Sequence, residues 1–128
     1  MTKGMKMADI AYIDDNRDCL EIIQSAFEAI DIEIDIYDDA IQFYNFKREY
    51  KVVISDYEMP GLNGHDFITI LKEKFPKIKT VIYSGAVDTI QNKNVQIDAF
   101  LSKPMEFDSL LKSVRFLLYA YDLSLIHI

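Results

Sequence analysis

The sequence predicts a single α/β domain with a doubly wound (βα)₅ arrangement. Short apolar runs rich in β-branched residues alternate with stretches in which apolar residues recur at helical spacing. At 128 residues, 50% of them hydrophobic, the chain is long enough for one core and short for two. No internal repeat or low-complexity tract interrupts the alternation.

Two strands and two helices are expected in the first part of the chain. Residues 10–13 form an apolar run that ends at two aspartates, which indicates a buried strand. A helix is expected over 16–30, with Cys19 as a small buried residue. Isoleucines alternate with acidic residues over 32–36, which is typical of a half-exposed edge strand. Asp38-Asp39 can cap the helix that follows.

The second part of the chain continues the pattern. Three more buried strands are expected, at 52–54, 80–83 and 99–101. A helix over about 65–74 should end before Pro76, and a long final helix should start near Phe107. The segment between Ser84 and Phe100 has few apolar residues and two asparagines. The fourth helix is therefore expected to be short or irregular.

These alternating units demand a parallel sheet with helices on both faces, because βαβ crossovers are right-handed. The purely apolar strands one, three and four fit central positions, and the alternating second strand fits an edge. The order 2-1-3-4-5 satisfies both conditions. In that order the carboxyl ends of strands one and three are neighbours, at the point where ligands bind in such sheets.

Polar residues follow four of the predicted strands and should converge at this edge. They are Asp14, Asp15, Asp56, Ser84 and Lys103. Three crowded carboxylates repel one another unless cations compensate them. Mg²⁺ prefers such oxygen ligands and needs only one or two carboxylates together with waters or phosphate oxygens. An aspartate there can act as a nucleophile toward phosphorus, with the lysine neutralising phosphoryl oxygens and the serine donating to them.

Composition excludes several other classes. The formal charge of −7 and the pI near 4.7 argue against a nucleic-acid-binding face. A single cysteine cannot form an internal disulfide, which fits a reducing, cytoplasmic location. There is neither a signal-peptide pattern nor an apolar run of membrane-spanning length. We therefore expect no nucleic-acid or membrane partner for this domain.

The chain resembles the receiver domains of two-component response regulators from about residue 6 to residue 118. The matching residues are Asp14-Asp15-Asn16, Asp56-x-x-Met59-Pro60-Gly61-x-x-Gly64, Ser84-Gly85 and Phe100-Leu101-x-Lys103-Pro104. The resemblance implies a flavodoxin-like fold and a signalling module, not an enzyme that turns over small molecules. Its chemistry would be limited to its own phosphotransfer and slow autodephosphorylation.

The resemblance also implies roles for individual residues. Asp56 would accept a phosphoryl group from a histidine kinase or phosphotransfer protein. Asp15, Asp56 and the backbone carbonyl of Glu58 would ligate Mg²⁺, with Asp14 acting mostly through water. Ser84 and Lys103 would contact the phosphoryl group, and the Lys103-Pro104 peptide would be cis. Ser84 and Phe100 would form the conformational switch.

Two positions tune the lifetime of the phosphoryl group in this family. They are Glu58, two residues after Asp56, and Ala86, two residues after Ser84. A glutamate adds negative charge near the phosphoryl group, and an alanine offers no polar group to orient water. We expect hydrolysis that is not especially fast. The alternative is that Glu58 points into solvent or pairs with a lysine.

Two other functions remain as alternatives. One is a pseudo-receiver that binds partners without taking phosphate, against which the intact acidic pair, Asp56, Ser84 and Lys103 argue. The other is a phosphatase-like enzyme with an aspartate nucleophile. Glu58 lies two residues after Asp56, which is where such an enzyme has its acid/base residue. However, 128 residues leave no room for a substrate cap. An effector protein or output domain is an expected partner, and a homodimer remains open.

The ends of the chain are expected to differ from its middle. Residues 1–5 should lie outside the folded domain, which should span 6–118. Residues 119–128 remain apolar and have no linker composition. They are expected to form an apolar tail or an extension of the last helix.

Overall fold

A computed structural model describes residues 8–46, 48–59, 61–85, 97–104 and 107–126. Within these ranges the chain forms five strands and four helices. The strands are β1 (Ile10–Ile13), β2 (Ile34–Tyr37), β3 (Val52–Ser55), β4 (Lys79–Ser84) and β5 (Ala99–Ser102). The helices are α1 (Arg17–Glu28), α2 (Ala40–Phe46), α3 (Gly64–Lys74) and α4 (Phe107–Leu125). The predicted short fourth helix lies outside the described residues.

The five strands form one parallel sheet in the order β2-β1-β3-β4-β5, which confirms the predicted topology. All residues of β1 and β3 are buried, as expected for strands that are covered on both faces. The edge strand β5 was expected to be buried, and that was wrong: its first three residues are only half-buried and Ser102 is exposed. An edge strand has a sheet neighbour on one side only, so its side chains keep more contact with solvent.

The core is divided between the two faces of the sheet because successive strand residues point to opposite sides. On β1, Ile10 and Tyr12 join a cluster with α1 and α4, while Ala11 and Ile13 join a cluster with α2 and α3. The α1 and α4 side includes Leu20, Phe27, Leu110, Val114 and Leu117. The α2 and α3 side includes Phe43, Phe67 and Leu71.

Side-chain caps set the starts of the helices. Asn16 and Asn63 accept backbone N–H groups at the first turns of α1 and α3, from Cys19 at 3.2 Å and Asp66 at 2.9 Å. Asp39 accepts the N–H of Gln42 at 2.7 Å at the start of α2, which confirms the predicted cap.

Two expectations for α1 were wrong. The helix ends at Glu28, two residues before the predicted limit, and Ile30 lies in the following turn with 40% of its surface exposed. Asp31 closes that turn with a φ of 62°, a left-handed conformation that cannot continue a helix. Cys19 is half-buried, because it lies at the edge of the apolar face of the helix, beside a cavity.

The last helix continues to Leu125. Tyr121 is buried in this final part, and its hydroxyl donates to a Glu49 carboxylate oxygen at 3.2 Å. Lys51 reaches the Asp122 carboxylate at 3.0 Å. Among the described residues, no helix combines the length and the apolar composition that crossing a bilayer requires.

Candidate functional site

Backbone hydrogen bonds continue the pairing of the sheet past the ends of its strands, and they hold the residues of the site in place. The N–H of Asp14 donates to the carbonyl of Tyr37 at 3.1 Å, and the N–H of Asp56 donates to Ile13 at 3.0 Å. At the other side of the sheet, the N–H of Lys103 donates to the carbonyl of Ser84 at 3.0 Å. Residues from four separate chain segments therefore lie at one edge, where the parallel strands all end.

Three carboxylates meet at this edge. Asp14, Asp15 and Asp56 each offer one oxygen atom, and these atoms lie within 4.8 Å of one another. Asp14 is fully buried, Asp56 is half-buried and Asp15 is exposed. Carboxylates this close need a cation, and an oxygen-rich cluster that is open on one side fits Mg²⁺. Asp14, Asp15 and Asp56 are therefore the side chains that could hold a metal ion.

Lys103 provides a positive charge between two of the carboxylates. Its Nζ lies 2.5 Å from Asp14 Oδ2 and 3.7 Å from Asp56 Oδ2. Burial by itself lowers the pKa of Lys103, but Asp14 and then Asp56 outweigh burial and raise the pKa above its ordinary value. The peptide bond between Lys103 and Pro104 is cis, as the resemblance implied. The ammonium group is held closer to Asp14 than to Asp56.

Asp14 has a full set of hydrogen-bond donors. Its Oδ1 accepts the N–H of Asn16 at 2.9 Å, and its Oδ2 accepts the hydroxyl of Tyr12 at 2.7 Å in addition to Lys103. Tyr12 was not among the site residues predicted from the sequence. The available signal was its spacing, because residues two apart on a strand lie on the same face.

Asp56 is the carboxylate that a second reactant could reach from the crevice. Its side chain is 14% exposed, and its Oδ1 accepts the N–H of Tyr57 at 2.8 Å. Burial and the nearby Asp14 raise the pKa of Asp56 above its ordinary value. Lys103, the Tyr57 N–H and a hydrogen bond with the Ser84 side chain act in the opposite direction. The charged form of Asp56 is thus destabilised by burial and by Asp14, and the other three groups offset part of this effect.

The loop after β3 needs a glycine at position 64. The N–H of Gly64 donates to the carbonyl of Tyr57 at 2.6 Å, which folds the chain back onto the end of the strand. A Cβ atom on Gly64 would lie 2.9 Å from both the Asp56 carbonyl oxygen and the Tyr57 Cα. Such a contact is too close for any side chain. The glycine therefore lets the start of α3 pack directly against Asp56.

The remaining predicted site residues occupy different surroundings. Ser84 is buried at the end of β4, opposite Ser102. Phe100 is half-buried and packs against a small cluster formed by Ile68, Ile82 and Ile97. Glu58 follows Asp56 by two residues, and its side chain is exposed. Ala86 lies outside the described residues.

An apolar cavity of about 310 Å³ lies beside Lys103. It is lined by Cys19, Ile22, Ile23, Ala26, Tyr83, Lys103, Pro104 and Phe107. The cavity lies between α1 and the start of α4. Ile22 at its rim has 67% of its surface exposed. The acidic cluster therefore has an open apolar surface next to it.

Sequence comparisons agree with this geometry. The sequence model of the response regulator receiver domain matches residues 10–115. Response regulator Rre1 of Synechocystis is 32% identical over 114 residues, which cover 83% of this chain and 49% of Rre1. The C4-dicarboxylate transport transcriptional regulatory protein DctD of Pseudomonas aeruginosa is 28% identical over 111 residues, which cover 83% of this chain and 24% of DctD. The chain spans about half the length of Rre1 and about a quarter of DctD.

Solved structures show the same fold. A response regulator receiver domain protein from Clostridium thermocellum has a TM-score of 0.81 at 23% identity, covering 91% of this chain and 98% of that chain. Response regulator TrrA of Thermotoga maritima, solved in complex with Mg²⁺-BeF, has a TM-score of 0.78 at 24% identity. That match covers 87% of this chain and 99% of TrrA.

Proposed function

Because this chain belongs to the response regulator receiver domain family, we propose that it is a phosphoacceptor module that takes a phosphoryl group on Asp56. The donor is a histidine kinase or a phosphotransfer protein of a two-component system. One observation carries the proposal: the partly exposed Asp56 carboxylate lies 3.7 Å from the Lys103 ammonium group and in one cluster with two further aspartates. This is the charge arrangement that phosphoryl transfer to a carboxylate requires.

The transfer follows from what each group can do. A carboxylate oxygen of Asp56 forms the new bond to phosphorus while the bond from phosphorus to the donor histidine nitrogen breaks and its electron pair stays on that nitrogen. Mg²⁺, when bound by Asp15, Asp56 and the Glu58 backbone carbonyl, would neutralise charge on the phosphoryl oxygens. Asp14 would act on the metal mainly through water. Lys103 would neutralise another phosphoryl oxygen, because its ammonium group lies 3.7 Å from Asp56 Oδ2.

Ser84 and Phe100 form the switch that reports the phosphoryl group. The Ser84 hydroxyl already contacts the Asp56 carboxylate and can donate to a phosphoryl oxygen instead. Movement of the β4 end would change the packing of Phe100 against the neighbouring isoleucines. The phosphoryl group shifts the population toward one state because it contacts the two states differently.

The phosphoryl group on Asp56 is proposed to hydrolyse slowly. The exposed side chain of Glu58 adds negative charge at the crevice entrance, which disfavours the approach of hydroxide. Ala86 provides no polar group to orient a water molecule. An aspartyl phosphate that is lost within seconds after removal of the donor contradicts this part of the proposal.

Partners follow from the same function. A histidine-bearing donor would approach over the apolar cavity beside Lys103, where the exposed Ile22 offers a contact. DctD is by name a transcriptional regulatory protein, which supports an output domain or effector protein as the downstream partner. A cytoplasmic location belongs to the same proposal.

Incubation with acetyl phosphate and Mg²⁺, followed by intact-protein mass spectrometry, tests the function. We expect the mass of one phosphoryl group on the wild type and none on Asp56→Asn or after chelation of Mg²⁺. Asp122→Asn is a matched control, because Asp122 pairs with Lys51 on a distant surface. It should be modified like the wild type.

Three results would contradict the proposal. Modification that persists in Asp56→Asn assigns the acceptor to another residue. A wild type that is never modified behaves as a pseudo-receiver, and continuous release of inorganic phosphate indicates a phosphatase-like enzyme.

A further inference from the structure

Tyr12 lies under the site and has no part in the mechanism described so far. It belongs to β1, and its side chain is fully buried in the core between the sheet and the helices α1 and α4. A buried phenol needs a hydrogen-bond partner. Its hydroxyl donates to Asp14 Oδ2 at 2.7 Å, so a core residue touches the charged groups of the crevice.

Tyr12 and Lys103 share one oxygen atom. Both contact Asp14 Oδ2, while the Asn16 N–H occupies Oδ1. Each donor reduces the negative charge that the other one meets, because both stabilise the same anion. The strength with which Asp14 holds Lys103 therefore depends on the phenol beneath it.

The phenol is fixed in position. Its side chain is fully buried, so the hydroxyl has no solvent to donate to and is satisfied by the Asp14 carboxylate. The packing of the ring in the core therefore sets the direction from which Asp14 receives this hydrogen bond.

We propose that Tyr12 is a positioning residue that orients the Asp14 carboxylate and limits its hold on cations. Because the Tyr12 hydroxyl also donates to Oδ2, Asp14 binds Lys103 less tightly, and Lys103 can move toward a phosphoryl group on Asp56. The same hydrogen bond reduces the negative charge with which Asp14 attracts a metal ion. The consequence for phosphotransfer rests on the function proposed above. The interaction among Tyr12, Asp14 and Lys103 does not depend on it.

The first test is the Mg²⁺ affinity of Tyr12→Phe, measured by isothermal titration calorimetry. Without the phenol, one donor fewer occupies Oδ2 of Asp14, so we expect Mg²⁺ to bind about fivefold more tightly, a part of what a charge-assisted hydrogen bond can contribute. Tyr50→Phe is a matched control, because Tyr50 is equally buried and donates to Asp35 at 2.6 Å in the other core cluster. Its Mg²⁺ affinity should equal that of the wild type. Unchanged or weaker binding by Tyr12→Phe overturns the proposal.

The second test needs no metal. Urea unfolding in the presence of a chelator is compared for Tyr12→Phe, Lys103→Met and the double variant. Asp14 keeps one of its two side-chain donors in each single variant and neither in the double variant. The midpoint of the double variant should therefore fall about 0.5 M urea below the sum of the single effects. Tyr50→Phe combined with Lys103→Met should be additive, and additivity for Tyr12→Phe overturns the proposal.

A third measurement uses a variant that keeps the phenol. In the wild type, the Tyr12 hydroxyl proton should exchange slowly and give a separate downfield proton resonance, which Asp14→Asn should shift upfield. A resonance that does not respond to Asp14→Asn overturns the proposal even where Tyr12→Phe does not fold. A wild type without Asp56-dependent modification would contradict the proposed function and leave these two metal-free results unaffected.

Discussion

At the scale of single residues, Asp56 is held in surroundings that disfavour its charge. Burial and Asp14 raise the pKa of its carboxyl group above the ordinary value, and the three compensating groups do not fully offset them. The free energy of unfolding is therefore lower than it would be with a neutral side chain at this position. The charge of Asp56 in these surroundings therefore lowers the stability of the folded protein.

Asp56→Asn should raise the melting temperature of the metal-free protein at pH 7. A folded-state pKa above the unfolded-state value means that the folded protein binds more protons between these two values. The penalty from Asp56 is therefore absent below the unfolded pKa of about 4, grows as the pH rises through the window, and is complete above the folded pKa. Thermal unfolding across this pH range checks the prediction.

The advantage of Asp56→Asn should disappear at acidic pH, and saturating Mg²⁺ should reduce it. Asp122→Asn serves as the control, because Asp122 is an exposed partner of Lys51. A stabilisation by Asp56→Asn that persists below pH 4 would assign the effect to packing instead of charge.

Lys103→Met should lower the free energy of unfolding of the metal-free protein by about 2 kcal/mol, because the wholly buried Asp14 loses its cationic partner. Lys51→Met is the matched control. Lys51 pairs with Asp122 at 3.0 Å, but the two side chains are 32% and 58% exposed, so at most about 1 kcal/mol is expected. Urea unfolding measures both variants. Equal effects would mean that the buried pair contributes no more than a surface pair.

At the scale of elements, the loop between β3 and α3 decides how closely the helix approaches the site. Its sequence contains a proline and three potential turn residues, and it connects β3 to α3. Asn63 caps the helix, and the absence of a side chain on Gly64 allows the contact with Asp56. Which of the two nearby glycines is indispensable for packing depends on the distances in the folded protein.

Gly64→Ala should destabilise the fold by about 2 kcal/mol and slow the phosphorylation of Asp56. The added Cβ would lie 2.9 Å from backbone atoms of Asp56 and Tyr57, so the loop must shift. Gly85→Ala is the control, since a Cβ at Gly85 meets no atom within 4 Å, and it should stay within about 0.5 kcal/mol of the wild type. Chemical unfolding and the acetyl phosphate reaction measure the two effects. A tolerated Gly64→Ala would show that the loop can relax at no cost.

Local sequence patterns predicted which segments are helices and which are strands, but they did not predict the end of α1 or the exposure of β5. The cap at Asp39 was predicted because an aspartate before an apolar run is a common helix start. The end of α1 was placed too late because Ile30 continues the apolar spacing although it lies in a turn. The partial exposure of β5 depends on its position at the edge of the sheet, which an apolar sequence does not reveal.

At the scale of the whole molecule, the last turns of helix α4 pack against the segment that precedes β3. Tyr121 fills a position in the core beyond residue 118, and its ring lies 5.8 Å from the Lys51 ammonium. The hydroxyl reaches Glu49, so this turn of α4 is bound to the segment that leads into β3. Residues 119–125 therefore contact the same body as the rest of the helix.

A chain that ends after Leu118 should be about 3 kcal/mol less stable than a chain that ends after Leu125. The shorter chain loses the buried aromatic side chain of Tyr121 and its polar contacts, and the free energy of such a loss is typical of large core deletions. Urea unfolding of the two chains checks the prediction. Tyr121→Ala in the longer chain should reproduce most of the effect. Equal stability would support a folded domain that ends at residue 118.

The order of the parallel sheet and the residues that meet at its edge follow from the amino-acid sequence. Apolar runs, their spacing and the handedness of crossovers are local or general properties, and strand ends in a parallel sheet converge by necessity. The acidic pair, Asp56, Ser84 and Lys103 could therefore be selected from sequence patterns.

Which of these charged groups contact one another depends on the tertiary structure. Lys103 is closer to Asp14 than to Asp56, and the Tyr12 hydroxyl reaches the same oxygen from the core. These preferences depend on differences of about 1 Å in the distances between side chains from distant parts of the chain. They also depend on burial, which changes the strength of each charge–charge interaction. Local sequence patterns contain neither quantity, because both arise from packing of the complete fold.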